Sequence, residues 1–160
     1  MSKKKEKERS MNDGKGMTVI VKTVTRLTVG LIFLYGIYII LHGHLTPGGG
    51  FAGGVIVALS FINLDLAFGG KVSSRIFSRG STGVVEALGA IMFLALALLG
   101  LQYGGFFKNF LHPDGQPGEL VSAGIIPLEN IAISLKVGAG LFGIFLTLIV
   151  LQKFESEKKQ

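Results

Sequence analysis

The sequence has 160 residues, the size of one domain, and its mean hydropathy of +0.57 is too high for an ordinary soluble domain. Charged residues make up 16% of the chain, below the roughly 25% of globular proteins, and the net charge of +6 comes from clusters between long apolar runs, which argues against nucleic-acid binding. The chain has no cysteine, which excludes disulfides, thiol catalysis and Cys-ligated iron–sulfur clusters, so any redox chemistry is expected to belong to a partner.

The chain begins with a basic segment, MSKKKEKERSMNDGKG, that does not have the form of a signal peptide. A cleavable signal has a short apolar core and a small-residue cleavage site. The first apolar run here is long, and no such site follows it. We therefore predict that residues 1–17 form a charged, solvated tail in the cytoplasm.

Four apolar segments follow, each close to the roughly 20 residues that a membrane helix needs. They cover residues 24–41, 51–68, 84–103 and 130–151. The sequence thus predicts an all-α, multi-pass protein of the cell membrane, with a four-helix membrane domain over residues 18–152. Residues 153–160 are predicted to form a second charged tail.

Lysine and arginine in the connecting segments predict the orientation. Loop 42–50 has none of either, and loop 104–129 has only Lys108. The other flanks are basic, through Lys71, Arg75, Arg79, Lys153, Lys158, Lys159 and the first tail. Because basic loops stay in the cytoplasm, both termini are predicted to be cytoplasmic and loop 42–50 to lie on the outer side.

The stretch HGHLTPGGGFAGG begins in the outer loop after the first span, and six of its thirteen residues are glycine. Part of it matches G-x-G-x-x-G, but a dinucleotide site needs a preceding strand, and here a predicted membrane helix precedes it. No GK[ST] follows, so a P-loop is excluded as well.

Three histidines lie on the predicted outer side, at His42, His44 and His112. Three histidines are sufficient to hold zinc, but no carboxylate is clearly placed to orient them and His112 is distant in sequence. A role at the membrane interface, hydrogen-bonding to the backbone, is the simpler interpretation of His42 and His44. We therefore expect no metal site.

The glycines of the stretch also fall at helix-packing intervals. Gly49 with Gly53, and Gly50 with Gly54, form small-xxx-small pairs, which allow helices to approach closely in lipid. Pro47 stands where the second helix is expected to begin, with Thr46 before it as the candidate N-cap. Because irregular backbone at membrane depth must meet protein or water, we predict that another subunit covers this loop or that the loop lines a cavity, and we favour close packing against neighbouring helices. A direct part in an ion path is the alternative.

Ionisable residues within membrane spans are functional candidates because they are costly to bury in lipid. Lys136 lies inside the fourth span, beside the small residues Gly138, Ala139, Gly140 and Gly143. Such a helix face is expected to meet protein. Two interpretations remain: a role in ion conduction or an inter-subunit ion pair, and snorkelling of the long side chain to the interface.

Three further charges, Asp65, Glu86 and Arg26, fall near the cytoplasmic ends of the first three predicted spans. They are expected to share one membrane level and to form a charge cluster. A structural salt bridge is the simpler interpretation, and an ion-path role is the alternative.

The four-span plan and the glycine-rich stretch resemble the B subunit of multisubunit Mrp-type Na⁺/H⁺ antiporters, the MnhB/MrpB family. The resemblance covers roughly residues 18–151. It rests on a G-H-x-x-P-G-G-G-F-x-G-G pattern, present here as Gly43, His44, Pro47, Gly48, Gly49, Gly50, Phe51, Gly53 and Gly54. The family resemblance assigns no catalytic residue to this chain, and it implies neither a cofactor nor enzymatic activity of the chain's own.

The resemblance implies a non-catalytic membrane subunit that packs against other hydrophobic antiporter subunits and contributes to a Na⁺ or H⁺ path. The alternative is the equivalent sodium-module subunit of a membrane-bound hydrogenase or sulfur-reducing complex, with redox subunits as further partners. A self-sufficient small transporter and a purely structural assembly factor are the remaining interpretations.

Overall fold

A computed structural model describes residues 17–69, 79–111, 118 and 122–158, except for the side chains of Arg79 and Lys153. These residues form four α-helices and no strand. The helices are α1 (Val19–Leu41), α2 (Gly49–Phe68), α3 (Arg79–Gln102) and α4 (Ile126–Lys158). All four are long and apolar enough to cross a membrane, which confirms the predicted fold class. The orientation of the termini stays a prediction.

The helices form because the long apolar runs must satisfy their backbone hydrogen bonds internally when they lie in lipid. Hydroxyl side chains in α1 also find their hydrogen-bond partners within the helix. The hydroxyls of Thr23 and Thr28 each donate to the carbonyl four residues earlier, at 3.0 Å. Helix α2 ends at Gly69, which adopts a left-handed conformation (φ 69°) and donates its N–H to the Asp65 carbonyl at 2.9 Å.

The helices are longer than the predicted apolar spans, mostly at the ends where polar residues stand. Helix α3 begins at Arg79 and helix α4 at Ile126, each several residues before the apolar run. Helix α4 has 33 residues, about 50 Å at 1.5 Å per residue, against a hydrocarbon core of about 30 Å. Its last turns include residues 153–158, predicted as a charged tail. Lys and Glu are good helix formers in water, so the helix continues beyond the apolar run.

The four helices lie in a row instead of a closed bundle. Helix α1 packs on α2, α2 on α4, and α4 on α3, with a smaller contact between α1 and α4. Contact between the described residues of α1 and α3 is marginal at most. Helices α2 and α4 therefore form the centre of the row, and α1 and α3 form its two ends.

Candidate functional site

The glycine-rich stretch connects α1 to α2 through a tight turn. The N–H groups of Leu45 and Thr46 both donate to the His42 carbonyl at 2.9 Å. Gly48 and Gly49 have φ values of 146° and 73°, which side-chain-bearing residues rarely adopt. These two glycines are therefore required by the shape of the turn.

The predicted N-cap at Thr46 is wrong. The Thr46 hydroxyl donates to the His42 carbonyl at 3.1 Å and so closes the end of α1. Helix α2 begins at Gly49, with Gly48 as an N-cap that makes no side-chain hydrogen bond. The free N–H groups at the start of α2 therefore require an acceptor from another part of the chain.

Asn130, in the first turns of α4, supplies that acceptor. The Gly50 N–H donates to Asn130 Oδ1 at 3.1 Å. A methyl group placed on Gly43 would lie 2.7 Å from Asn130 Nδ2, and one on Gly49 would lie 3.3 Å from Oδ1. Three glycines of the family pattern thus surround one amide side chain.

Gly53 and Gly54 of α2 face different neighbours within the chain. A methyl group on Gly54 would lie 2.9 Å from the Ser134 carbonyl of α4, whereas one on Gly53 would lie 3.0 Å from the Gly36 carbonyl of α1. Helix α2 is therefore held between α1 and α4 at backbone distance. The helices that cover these glycines belong to this chain, where the sequence predicted another subunit or a cavity. Phe51, at 65% exposure, points away from both.

Sequence reasoning missed Asn130 and Ser134, although a signal for both was present. The two residues are four apart, as are Gly50 and Gly54, and equal spacing on facing helices brings one pair against the other. Ser134 is buried, and its hydroxyl donates to the Ile131 carbonyl at 2.8 Å.

The histidines do not assemble into a metal site within the part of the chain that the structure describes, where no three ligand residues cluster. His112 lies outside the described residues. His42 contacts the Tyr38 carbonyl through Nδ1 at 3.0 Å and stacks on the Tyr38 ring. Both ring nitrogens of His44 are buried without a hydrogen bond to any described residue.

Two of the predicted intramembrane charges form an ion pair. Lys136 Nζ lies 3.7 Å from Glu86 Oε1, and the two side chains are 53% and 44% exposed. Lys136 lies about three turns into α4 and Glu86 about two turns into α3. The predicted spans put Glu86 and Lys136 at different depths in the membrane. The reason is that α3 and α4 begin four or five residues earlier than predicted.

Beside this ion pair, α3 and α4 leave an open groove of about 410 Å³. Its lining includes Thr82, Gly83, Glu86, Gly140, Gly143 and Thr147, and we call it the Glu86 groove. The two helices approach closely next to it, since a methyl group on Gly89 would lie 2.8 Å from the Lys136 backbone nitrogen.

Asp65 and Arg26, the other two charges, lie apart from this pair. Asp65 is in the last turns of α2 and is only 2% exposed. The Arg26 guanidinium lies 5.2 Å above the centre of the Phe68 ring, a cation–π contact that Lys22 repeats at 5.9 Å. Glu86 is paired with Lys136 on another helix pair, so it does not share a salt bridge with Arg26.

A family model described as a domain related to the MnhB subunit of Na⁺/H⁺ antiporters matches residues 20–143. The chain belongs to the MnhB family. The matched region begins in α1 and ends in α4, so it includes the glycine-rich turn and the ion pair of Glu86 and Lys136. This match confirms the resemblance drawn from the glycine pattern.

Two relatives are similar to this chain over different lengths. An uncharacterized protein of Methanocaldococcus jannaschii is 42% identical over 130 residues, which cover 78% of this chain and 49% of the relative. A Staphylococcus aureus protein that bears the name antiporter subunit mnhB2 is 46% identical over 50 residues, 31% of this chain and 36% of the relative. The chain thus covers half or less of these relatives' length.

One solved structure is similar to this MnhB chain over most of its length. It is described as the membrane-bound sulfane sulfur reductase, an archaeal respiratory membrane complex. The likeness has a TM-score of 0.68 and 36% identity, and covers 80% of this chain and 56% of the other.

Proposed function

We propose that this MnhB chain is a non-catalytic membrane subunit of a multisubunit Na⁺/H⁺ antiporter module, where it packs against partner subunits and contributes to an ion path. The observation that carries the proposal is the half-exposed ion pair of Glu86 and Lys136. Asp65 and Arg26 are secondary candidates, since both are charged residues of the apolar helices.

The depth and the exposure of the ion pair make it costly to leave in lipid. A lysine or acidic residue at the centre of a membrane helix costs about 2.5–3.5 kcal/mol on insertion scales. Lysine escapes this cost near a helix end by snorkelling, but Lys136 lies about three turns inside α4 and its ammonium is directed at Glu86. The exposed parts of both side chains therefore require a polar neighbour, which in an assembled complex is protein or water.

The test is cation/proton exchange in inverted membrane vesicles that contain the whole complex. Lys136→Ala is expected to lower Na⁺-dependent proton movement about tenfold, equal to about 1.4 kcal/mol, when equal amounts of complex with the full set of subunits are compared. Lys136→Arg keeps the positive charge and is expected to retain more activity. Lys158→Ala, at the end of α4, is the matched control. Unchanged transport by Lys136→Ala would refute the ion-path role.

A second candidate function is the equivalent subunit of a redox-driven respiratory complex. It is favoured by the likeness to the sulfane sulfur reductase complex, at 36% identity over 80% of this chain. Mass spectrometry of the complex purified in mild detergent, with a tag on Gln160, separates the two. Hydrophobic antiporter subunits alone are expected for an antiporter. Additional iron–sulfur proteins would favour the respiratory complex, and recovery of this chain alone would contradict both.

A further inference from the structure

We propose that the Glu86 groove is the docking site for a transmembrane helix of another subunit, which presents a neutral hydrogen-bonding side chain to Glu86 and Lys136. The inference rests on the proposed function, because it requires a multisubunit complex. It goes further by naming the surface and the chemistry of the partner.

The walls of the groove suit a helix better than they suit isolated side chains. A methyl group on Gly83 would meet no atom within 4 Å, and one on Gly140 would come only to 3.5 Å from the Glu86 carboxyl carbon. Gly143 is similarly open, with the Thr82 hydroxyl at 3.5 Å from such a methyl group. Where glycines from two helices line one groove, a third helix can bring its backbone close and gain dispersion contacts.

Glu86 lines the groove and its ion-pair partner Lys136 lies beside it, so this pair defines which hydrogen-bonding groups the docking helix must carry. The side chains of Glu86 and Lys136 make no hydrogen bond with the described residues, and their 3.7 Å separation is beyond hydrogen-bond distance. Lipid tails supply neither donor nor acceptor, so leaving both groups unsatisfied in lipid is costly. The occupant must therefore donate to the carboxylate or accept from the ammonium.

Charge balance restricts the occupant further. Glu86 and Lys136 neutralise each other, so a third charge in the groove would be uncompensated in a low-dielectric setting. A serine, threonine, asparagine or glutamine side chain supplies hydrogen bonds without adding charge. Such residues connect transmembrane helices elsewhere in membrane proteins. The matching partner is therefore a helix with a neutral polar residue at the depth of Glu86.

Blocking the groove with an apolar side chain tests the docking directly. Gly83→Leu has room within this chain, as a methyl group there meets nothing within 4 Å, and the same holds for the matched control Gly30→Leu in α1. Tagged full-length chains are purified with their partners in mild detergent. Gly83→Leu is expected to lower the recovery of one partner subunit about tenfold, equal to about 1.4 kcal/mol, with normal yield of the tagged chain. Gly30→Leu is expected to retain full recovery.

Full partner recovery with Gly83→Leu would overturn the proposal while leaving the proposed function intact. Equal loss of the same partner subunit with Gly30→Leu would also overturn it, since the effect would not belong to the groove. If the unaltered chain is recovered without other membrane subunits, the proposed function and this inference both fail.

A second measurement distinguishes a helix from water in the groove. The chain has no cysteine, so Gly83→Cys introduces a single thiol. In the intact complex this thiol is expected to resist a hydrophilic methanethiosulfonate reagent, and to react fully after dissociation in a denaturing detergent. Rapid reaction in the intact complex would show a water-filled groove and overturn the docking proposal.

Discussion

Asn130 is the residue on which the glycine-rich turn depends most directly. Its side-chain oxygen accepts the Gly50 N–H, one of the donors that the start of α2 leaves without an intrahelical partner. The same amide fills the space beside Gly43 and Gly49, where a methyl group would collide with it. The amide fits in shape because Gly43 and Gly49 have no side chain, and it satisfies the Gly50 N–H. The three glycines and Asn130 therefore depend on one another.

Replacing this amide should therefore weaken the fold at the turn. Asn130→Ala removes the acceptor and leaves the Gly50 N–H unsatisfied, which is expected to cost about 1–3 kcal/mol. Asn130→Asp keeps an acceptor and places a negative charge near the start of α2, where the helix dipole favours it. The measurement is the thermal midpoint of the purified complex, followed by size-exclusion chromatography after heating.

The matched control is Asn63→Ala, which removes an exposed asparagine of α2. It is expected to have little effect on the midpoint. If Asn63→Ala and Asn130→Ala lower the midpoint equally, the importance of the Gly50 hydrogen bond is contradicted.

The ion pair shows what residue-level reasoning from sequence can and cannot supply. Hydropathy alone singled out Lys136 and Glu86, because charged residues interrupt otherwise apolar runs. Their pairing was not predictable, since it depends on which two helices pack together and at what offset. That offset is set partly by Gly89, whose missing side chain lets α3 approach the Lys136 backbone.

At the scale of the helices, hydropathy predicted the number of spans correctly and misplaced their ends. The apolar run locates the part of a helix that lies in lipid, but α3 and α4 begin earlier, at Arg79 and Ile126. Local capping and helix propensity determine where a helix ends, and neither depends on the lipid boundary. A hydropathy pattern therefore does not locate helix ends. This shift was sufficient to separate Glu86 from Lys136 in the predicted levels.

For the glycine pairs of α2, the sequence predicts close packing but not the identity of the neighbouring helix. Their spacing predicts close helix packing, and the structure has α2 in backbone contact on two sides, through Gly53 and Gly54. Spacing carries no information on whether the neighbour comes from the same chain. Here the neighbours are α1 and α4, and the Glu86 groove between α3 and α4 stays open within the described part of this chain.

For the whole molecule, the positive-inside rule predicts that both termini are cytoplasmic. Because the chain has no cysteine, single-cysteine variants can test this directly. A membrane-impermeant maleimide is expected to label Leu45→Cys, in the turn between α1 and α2, from outside right-side-out vesicles. It is expected to label Glu157→Cys, near the end of α4, only in inverted vesicles. Both sites should react after permeabilisation, and labelling of both from the same side would contradict the predicted orientation.

The row of four helices has an analogy in the open β-sheet, which also has edges. In a closed bundle every helix has two neighbours, and adding another helix means separating a pair that is already packed. Here α1 and α3 each have their main contact on one side only, so further helices can be added laterally without disturbing the contacts among α1, α2 and α4. The described fold is thus open to lateral extension at both edges.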